Sequence, residues 1–173
     1  WLNKALAFYN ISEICYLLWD DPEFAPVKAQ YSGFLSEFPD QKNYDYLARQ
    51  ISLTAKSGGE SSVLVAQLLQ GQNADGGWGF GLGYSSDPLD TVLALRALLD
   101  AAHVDFGTYQ KMITYLNNSR NIDGSFSIKK GDQGNVYLTA MVVEVLTKLQ
   151  KHLDCSSQIS GAKQWLVNQR NSS

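Results

Sequence analysis

The chain has 173 residues, a net charge of −3 and an isoelectric point near 5.3; folding a chain of this length as one domain can bury roughly 70% of its unfolded surface. It has no basic stripe, so nucleic acid and anionic membranes are not expected partners, and no apolar run approaches the ~20 residues of a membrane-spanning helix. Cys15 and Cys155 are too few for a disulfide framework; two buried thiols are the expected state, one disulfide the alternative.

Residues 1–9 and 12–19 are predicted helices, and 23–38 is a helix interrupted near Pro26. Residues 44–55 carry Tyr44, Leu47, Ala48, Ile51 and Leu53 at helical spacing and stop at Ser57-Gly58-Gly59. Pro22, Pro26 and Pro39 punctuate this stretch, so residues 1–56 are read as a divergent N-terminal helical cap or a degenerate repeat.

From residue 57 a pattern sets in. Val63, Leu64, Leu68 and Leu69 mark a partly exposed helix, followed by a glycine-rich loop from Gly71 to Gly83. Asp87 or Ser86 then caps a helix with Pro88 at its first position. Leu89, Val92, Leu93, Leu95, Leu98 and Leu99 cover most of that helix's circumference, as expected where more than one side is buried. The same order returns 48 residues later: Asp75 matches Asp123, and Thr91 matches Thr139. Asn135 takes the cap, and Val136, Leu138, Met141, Val142, Val145, Leu146 and Leu149 follow. A third unit begins near Ile159, where Trp165-Leu166 matches Tyr115-Leu116 at a spacing of 50. A fixed period of this size marks stacked repeats, here about 57–104, 105–152 and an incomplete 153–173. The expectation is a piece of a longer array, with an apolar face near Trp165 and Leu166 that a further segment or self-association covers.

Several site types can be set aside. Asn73-Ala74-Asp75-Gly76 and Asn121-Ile122-Asp123-Gly124 imitate the middle of a calcium loop, but the flanking ligand positions hold Gly71 and Leu82, or Ser119 and Lys130. Each Asp is therefore read as a turn residue bonding its own backbone. Gly76-Gly77-Trp78-Gly79-Phe80-Gly81 follows a helix and lacks the Lys and Thr of a phosphate loop. His103 and His152 are read as surface groups at helix ends. Asn10-Ile11-Ser12, Asn117-Asn118-Ser119 and Asn171-Ser172-Ser173 match the glycosylation pattern, which arises readily by chance.

Gln72-x-x-x-Gly76-x-Trp78, placed after an apolar helix and before Asp87-x-x-Asp90-Thr91, resembles the QW repeats of squalene and hopene cyclases and of protein prenyltransferase β subunits. The resemblance covers about 57–173 and is strongest in the first unit. It implies an all-α fold of helical hairpins forming part of an α/α toroid, with inner helices lining a cavity. It also implies that Gln72 ties the loop to the next helix while Trp78 packs over it; Asp75, Gly76, Gly77, Asp123, Gly124 and Phe126 complete the structural motif.

The chemistry of that family does not carry over. The cyclase acid is the middle carboxyl of an Asp-x-Asp-Asp-Thr motif, and its place here is Leu89. Asp87 and Asp90 remain as weak catalytic candidates, explained by capping, and the dipole at the helix start is expected to lower the pKa of Asp90. The prenyltransferase zinc site needs Asp-x-Cys, where this chain has Asp90-Thr91-Val92; no metal or cofactor is expected. The thioester run Cys-Gly-Glu-Gln of the macroglobulin toroids is missing at both cysteines. The resulting expectation is a non-catalytic module of a larger secreted or envelope-associated bacterial protein. It would bind a partner domain, or an apolar, polyprenyl-like small molecule, through its inner surface and loops, with Trp78, Phe80, Tyr84 and Tyr137 as candidate contacts. The alternative is a fragment of a cyclase- or prenyltransferase-like enzyme.

Overall fold

The computed structural model describes residues 2–28 and 43–170. Its helices are α1 (Leu2–Leu18), α2 (Tyr44–Lys56), α3 (Ser62–Leu69), α4 (Pro88–Asp100), α5 (Phe106–Ser119), α6 (Val136–Leu149) and α7 (Ser156–Arg170), with a 3₁₀ turn at Pro22–Phe24. The described residues are all-helical and carry no named strand. The two helices predicted before residue 20 are one continuous element. Most of the helix predicted over 23–38, with Pro39 and the Asn171 triplet, lies outside the described residues.

Three helices share one starting device. Asn43, Asp87 and Asn135 each hold an extended backbone, and each side-chain oxygen accepts the N–H three residues on: Tyr46 at 2.7 Å, Asp90 at 2.9 Å and Leu138 at 2.9 Å. Such caps satisfy backbone donors that a helix start leaves unpaired. They place α2, α4 and α6 in a common register. These helices pack side by side as one layer, here termed inner, and α3, α5 and α7 pack on it as a second, outer layer. The main apolar core fills the space between the layers, with Leu68, Leu95, Met112, Val142 and Ile159 among its buried members. The depth expected from sequence is seen in α4, where ten of thirteen residues are buried, whereas α3 buries Val65 and Leu68.

The two glycine loops repeat the same ties to the helix that follows. The Thr91 hydroxyl accepts the Trp78 N–H at 2.9 Å and donates to the Trp78 carbonyl at 3.3 Å, and that carbonyl also accepts the Asp87 N–H at 2.9 Å. Thr139, Phe126 and Asn135 make the same three bonds at 3.0, 3.4 and 2.8 Å. Asp75 and Asp123 accept the N–H two residues on, as expected of turn residues. Gln72 departs from the role the resemblance implied: its amide donates to the Gly76 carbonyl within its own loop at 3.0 Å, and the threonine makes the tie to the next helix. Gly76 and Gly124 have φ of 91° and 92°. A Cβ at Gly76 would lie 2.6 Å from the Lys111 carbonyl oxygen, and one at Gly124 would lie 2.7 Å from that of Gly161. Each loop thus rests on the backbone of the next outer helix.

Trp78 is 0% exposed, and its indole N–H donates to the Leu68 carbonyl at 2.8 Å. It staples the loop to α3 and presents no surface to a ligand. Trp165 also differs from expectation. It is buried under the second loop against Gly134, so the apolar face expected there is covered on the Trp165 side. Cys15 and Cys155 are buried free thiols.

Replacing Trp78 or Phe126 by Ala is expected to cost about 3–5 kcal/mol, as for other buried aromatics. Tyr84→Ala, at an exposed side chain, should stay within about 0.5 kcal/mol. Urea melts decide; equal, small losses at Trp78 and Tyr84 would remove the staple.

Candidate functional site

The shared caps define equivalent places on the inner helices. Nine residues beyond each cap stand Ser52, Arg96 and Glu144; thirteen beyond stand Lys56, Asp100 and Lys148; two beyond stand Asp45, Leu89 and Tyr137. Positions set by packing alone would repeat apolar side chains. These instead differ in chemistry from unit to unit and carry most of the inner layer's charge.

Helix α1 lies across this surface, parallel to α2. Phe8 stacks on Tyr46 with ring centres 4.0 Å apart, Glu13 reaches Arg49, and Cys15 and Tyr16 pack with Leu53. Both oxygens of Glu13 accept from Arg96, at 2.8 Å each, and one also accepts from Arg49 at 2.6 Å. The Arg49 Nε donates to Asp45 at 2.6 Å. Arg96 is 1% exposed. Burial alone would raise the pKa of Glu13, but the two guanidiniums hold it below the usual carboxyl range. Burial raises that of Asp45 despite Arg49 beside it.

One turn further, the Tyr16 ring lies 4.0 Å from the Arg96 guanidinium, with the Lys56 and Lys148 ammonium groups also over it. Its hydroxyl donates to Asp100 at 3.3 Å and accepts from Lys148; Lys148 pairs with Glu144 at 3.1 Å. Burial and the neighbouring Asp100 raise the Tyr16 pKa. Tyr137 is half exposed beside the group, within the fields of Glu13, Arg49 and Arg96.

The first glycine loop presents a second element of the site. Phe80 and Tyr84 are exposed and meet edge to face, ring centres 5.7 Å apart, and the Phe80 carbonyl accepts the Tyr44 N–H at the start of α2 at 2.8 Å. Of the four candidate contacts, Phe80 and Tyr84 therefore stand together, Tyr137 borders the inner-surface network, and Trp78 is withdrawn into the core. Between the second loop and α7 lies a separate cleft of about 670 Å³, lined by Asn121, Asp123, Lys130, Asp132, Trp165 and Gln169. The Asp123 carboxylate there is already bonded within its loop.

Asp90 corrects an expectation. It is 6% exposed, and its pKa is pushed up to about 8, first by burial, then by its bond to Asp87 and that neighbour's charge. Desolvation outweighs the favourable dipole at the helix start. His103 differs as well: it is half-buried, its Nε2 enclosed without a protein partner, whereas His152 is exposed. Among the described residues no three His, Cys, Asp or Glu side chains converge as metal ligands, and no helix is long and apolar enough to cross a membrane. Asn10 and Asn117 of the glycosylation triplets are exposed.

Glu13, Tyr16, Asp45, Arg49, Arg96 and Lys148 escaped sequence reasoning. The signal was present: aligning Asn43 with Asp87 at a spacing of 44, four short of the later period, brings the α2 residues into register. No family model matches the chain, and no curated protein matches it.

An acid with a raised folded pKa holds a proton that the unfolded chain has lost, so Asp90's contribution to stability declines as pH rises from about 4 to about 8. Asp90→Asn should gain on the parent across that window, by up to about 1.4 kcal/mol per pH unit. Parallel melting curves at pH 5 and pH 8.5 check this; a constant difference would show that Asp90 ionises normally.

Proposed function

We propose that the chain is a non-catalytic helical-repeat module, of the toroid kind that its QW-like loops resemble, and that it binds through its inner surface and first glycine loop. Its partner is another domain or repeat of a longer protein, or an apolar, polyprenyl-like molecule. One observation carries this reading: the equivalent inner positions Ser52, Arg96 and Glu144, and Lys56, Asp100 and Lys148, change chemistry between helices that share one cap, two of which also share one loop. A scaffold that varies one face while holding the rest constant is how repeat proteins build binding surfaces. Exposed Phe80, Tyr84 and Tyr137 supply aromatic contact area at that face and loop.

A cyclase-like reading has one observation in its favour, that Asp90 keeps its proton at neutral pH. Two others oppose it. An acid whose pKa is about 8 gives up its proton less readily than an ordinary carboxylic acid, the reverse of what protonating an alkene requires. Asp90 is also almost wholly enclosed, and Leu89 occupies the place of the family's proton donor.

Squalene and prenyl diphosphates are accordingly expected to come back unchanged after long incubation with the purified chain, with and without added zinc. Mass spectrometry of the extracts is the readout. Turnover that disappears in Asp90→Asn would overturn the binding-module reading in favour of the enzyme.

A further inference from the structure

Helix α1 meets the inner layer in a different manner from every outer helix. Among the described residues its buried hydrophobic side chains form two small clusters, Phe8 with Tyr46 and Cys15–Tyr16 with Leu53, apart from the main core. Between them the attachment is polar: the Glu13 carboxylate sits in the fork of two buried guanidiniums, and the Tyr16 ring sits among three cations. Ile11, Ile14, Leu17 and Leu18 turn outward. The helix is therefore anchored through aromatic and charged side chains spaced along one face, Phe8, Glu13 and Tyr16, while its outward face is apolar, so the seat is selected by ion pairs and rings rather than by an apolar stripe.

The fit is incomplete. Arg96 Nε, Asp100 Oδ2 and Ser52 Oγ are buried without a protein partner; Arg96 and Asp100 bond α1 directly, and Ser52 holds the place in α2 that Arg96 holds in α4. Unpaired buried polar groups are costly, and buried ion pairs are a poor means of adding stability compared with apolar packing. A helix needed only to cover the inner layer would be held by aliphatic contacts. A planar fork of guanidiniums, by contrast, is suited to recognising a carboxylate.

We propose that the inner surface formed by α2, α4 and α6 is a helix-binding groove, specific for a helical segment bearing a glutamate with an aromatic residue five positions before it and another three after. In this state α1 occupies it in cis, with Phe8, Glu13 and Tyr16 as the anchors. The external ligand is an acidic–aromatic helix that displaces α1 and takes the Arg49–Arg96 seat. This rests on the inner surface being the binding face, and names the class of partner that face selects.

The test uses the full chain, with a fluorescein-labelled peptide of residues 2–18 as the probe. Glu13→Gln keeps the shape of the anchor and removes its charge, so it weakens the cis occupant. The peptide should saturate the Glu13→Gln chain at a concentration at least tenfold lower than the unmodified chain, read by fluorescence anisotropy. A peptide carrying the same Gln, or a chain carrying Arg96→Met with its helical circular dichroism intact, should lose that binding. Absent binding to the Glu13→Gln chain, or equal binding to both chains, would overturn the proposal.

Hydrogen exchange on the unmodified chain guards against a variant that fails to fold. The α1 amides should exchange at least tenfold faster than those of α4, through local opening. If α1 exchanges only with the slowest amides, it belongs to the core and the groove proposal falls. Rapid α1 exchange with no peptide binding would reject the helical ligand while leaving the inner surface as the binding face.

Discussion

The fold hangs on a threonine hydroxyl. At the fourth residue of α4 and of α6 it takes the N–H and reaches the carbonyl of the aromatic residue ending the glycine turn, while the cap residue bonds the same carbonyl. One small polar group thereby fixes where the loop meets the helix and how the aromatic ring enters the core. In a buried setting the bonds are strong in both directions, because leaving either backbone group unpaired is expensive. Valine would match threonine in shape and offer none of this. The ring beneath the loop varies between Trp78 and Phe126, but the hydroxyl does not.

With the loops and caps fixed, the inner surface can vary. Arg96 is buried against Glu13 and Tyr16 of α1, and Ser and Glu hold the corresponding places in the adjacent helices. Substitutions of that kind are tolerable only where side chains face a partner rather than the interlayer core. The resulting charges of Arg49 and Arg96 are balanced by Glu13 and Asp45, so the face is neutral while α1 is seated and becomes net positive when it leaves.

Much of this was legible in the residues. The period of 48 shows as a direct repeat of residues, and the Asp87 and Asn135 caps, the glycines of the turns and the aromatic under each turn follow from local rules that act within about a dozen residues. What stayed hidden involved long separations. Glu13 and Arg96 are 83 residues apart, and Tyr16 and Lys148 are 132 apart; neither pair leaves a periodic trace. Asp90 misled for a related reason. Its position in the helix predicts a stabilised carboxylate, and only the surrounding burial and the adjacent Asp87 reverse that. Gln72 looked like the tether because it stands in the motif, while the tethering threonine stands 19 residues away on the next helix.

The contact between each positive-φ glycine and the following outer helix has a consequence for how such a chain can diverge. Gly76 meets a carbonyl belonging to Lys111, and Gly124 meets the one at Gly161; the partner is main chain in both, so any amino acid at 111 or 161 supplies it. Hairpin spacing is thus set by a feature that mutation of the outer helix cannot erase. The exposed side chains of the outer helices are free to drift until their kinship is unreadable, while the approach of loop to helix is inherited unchanged through two glycines.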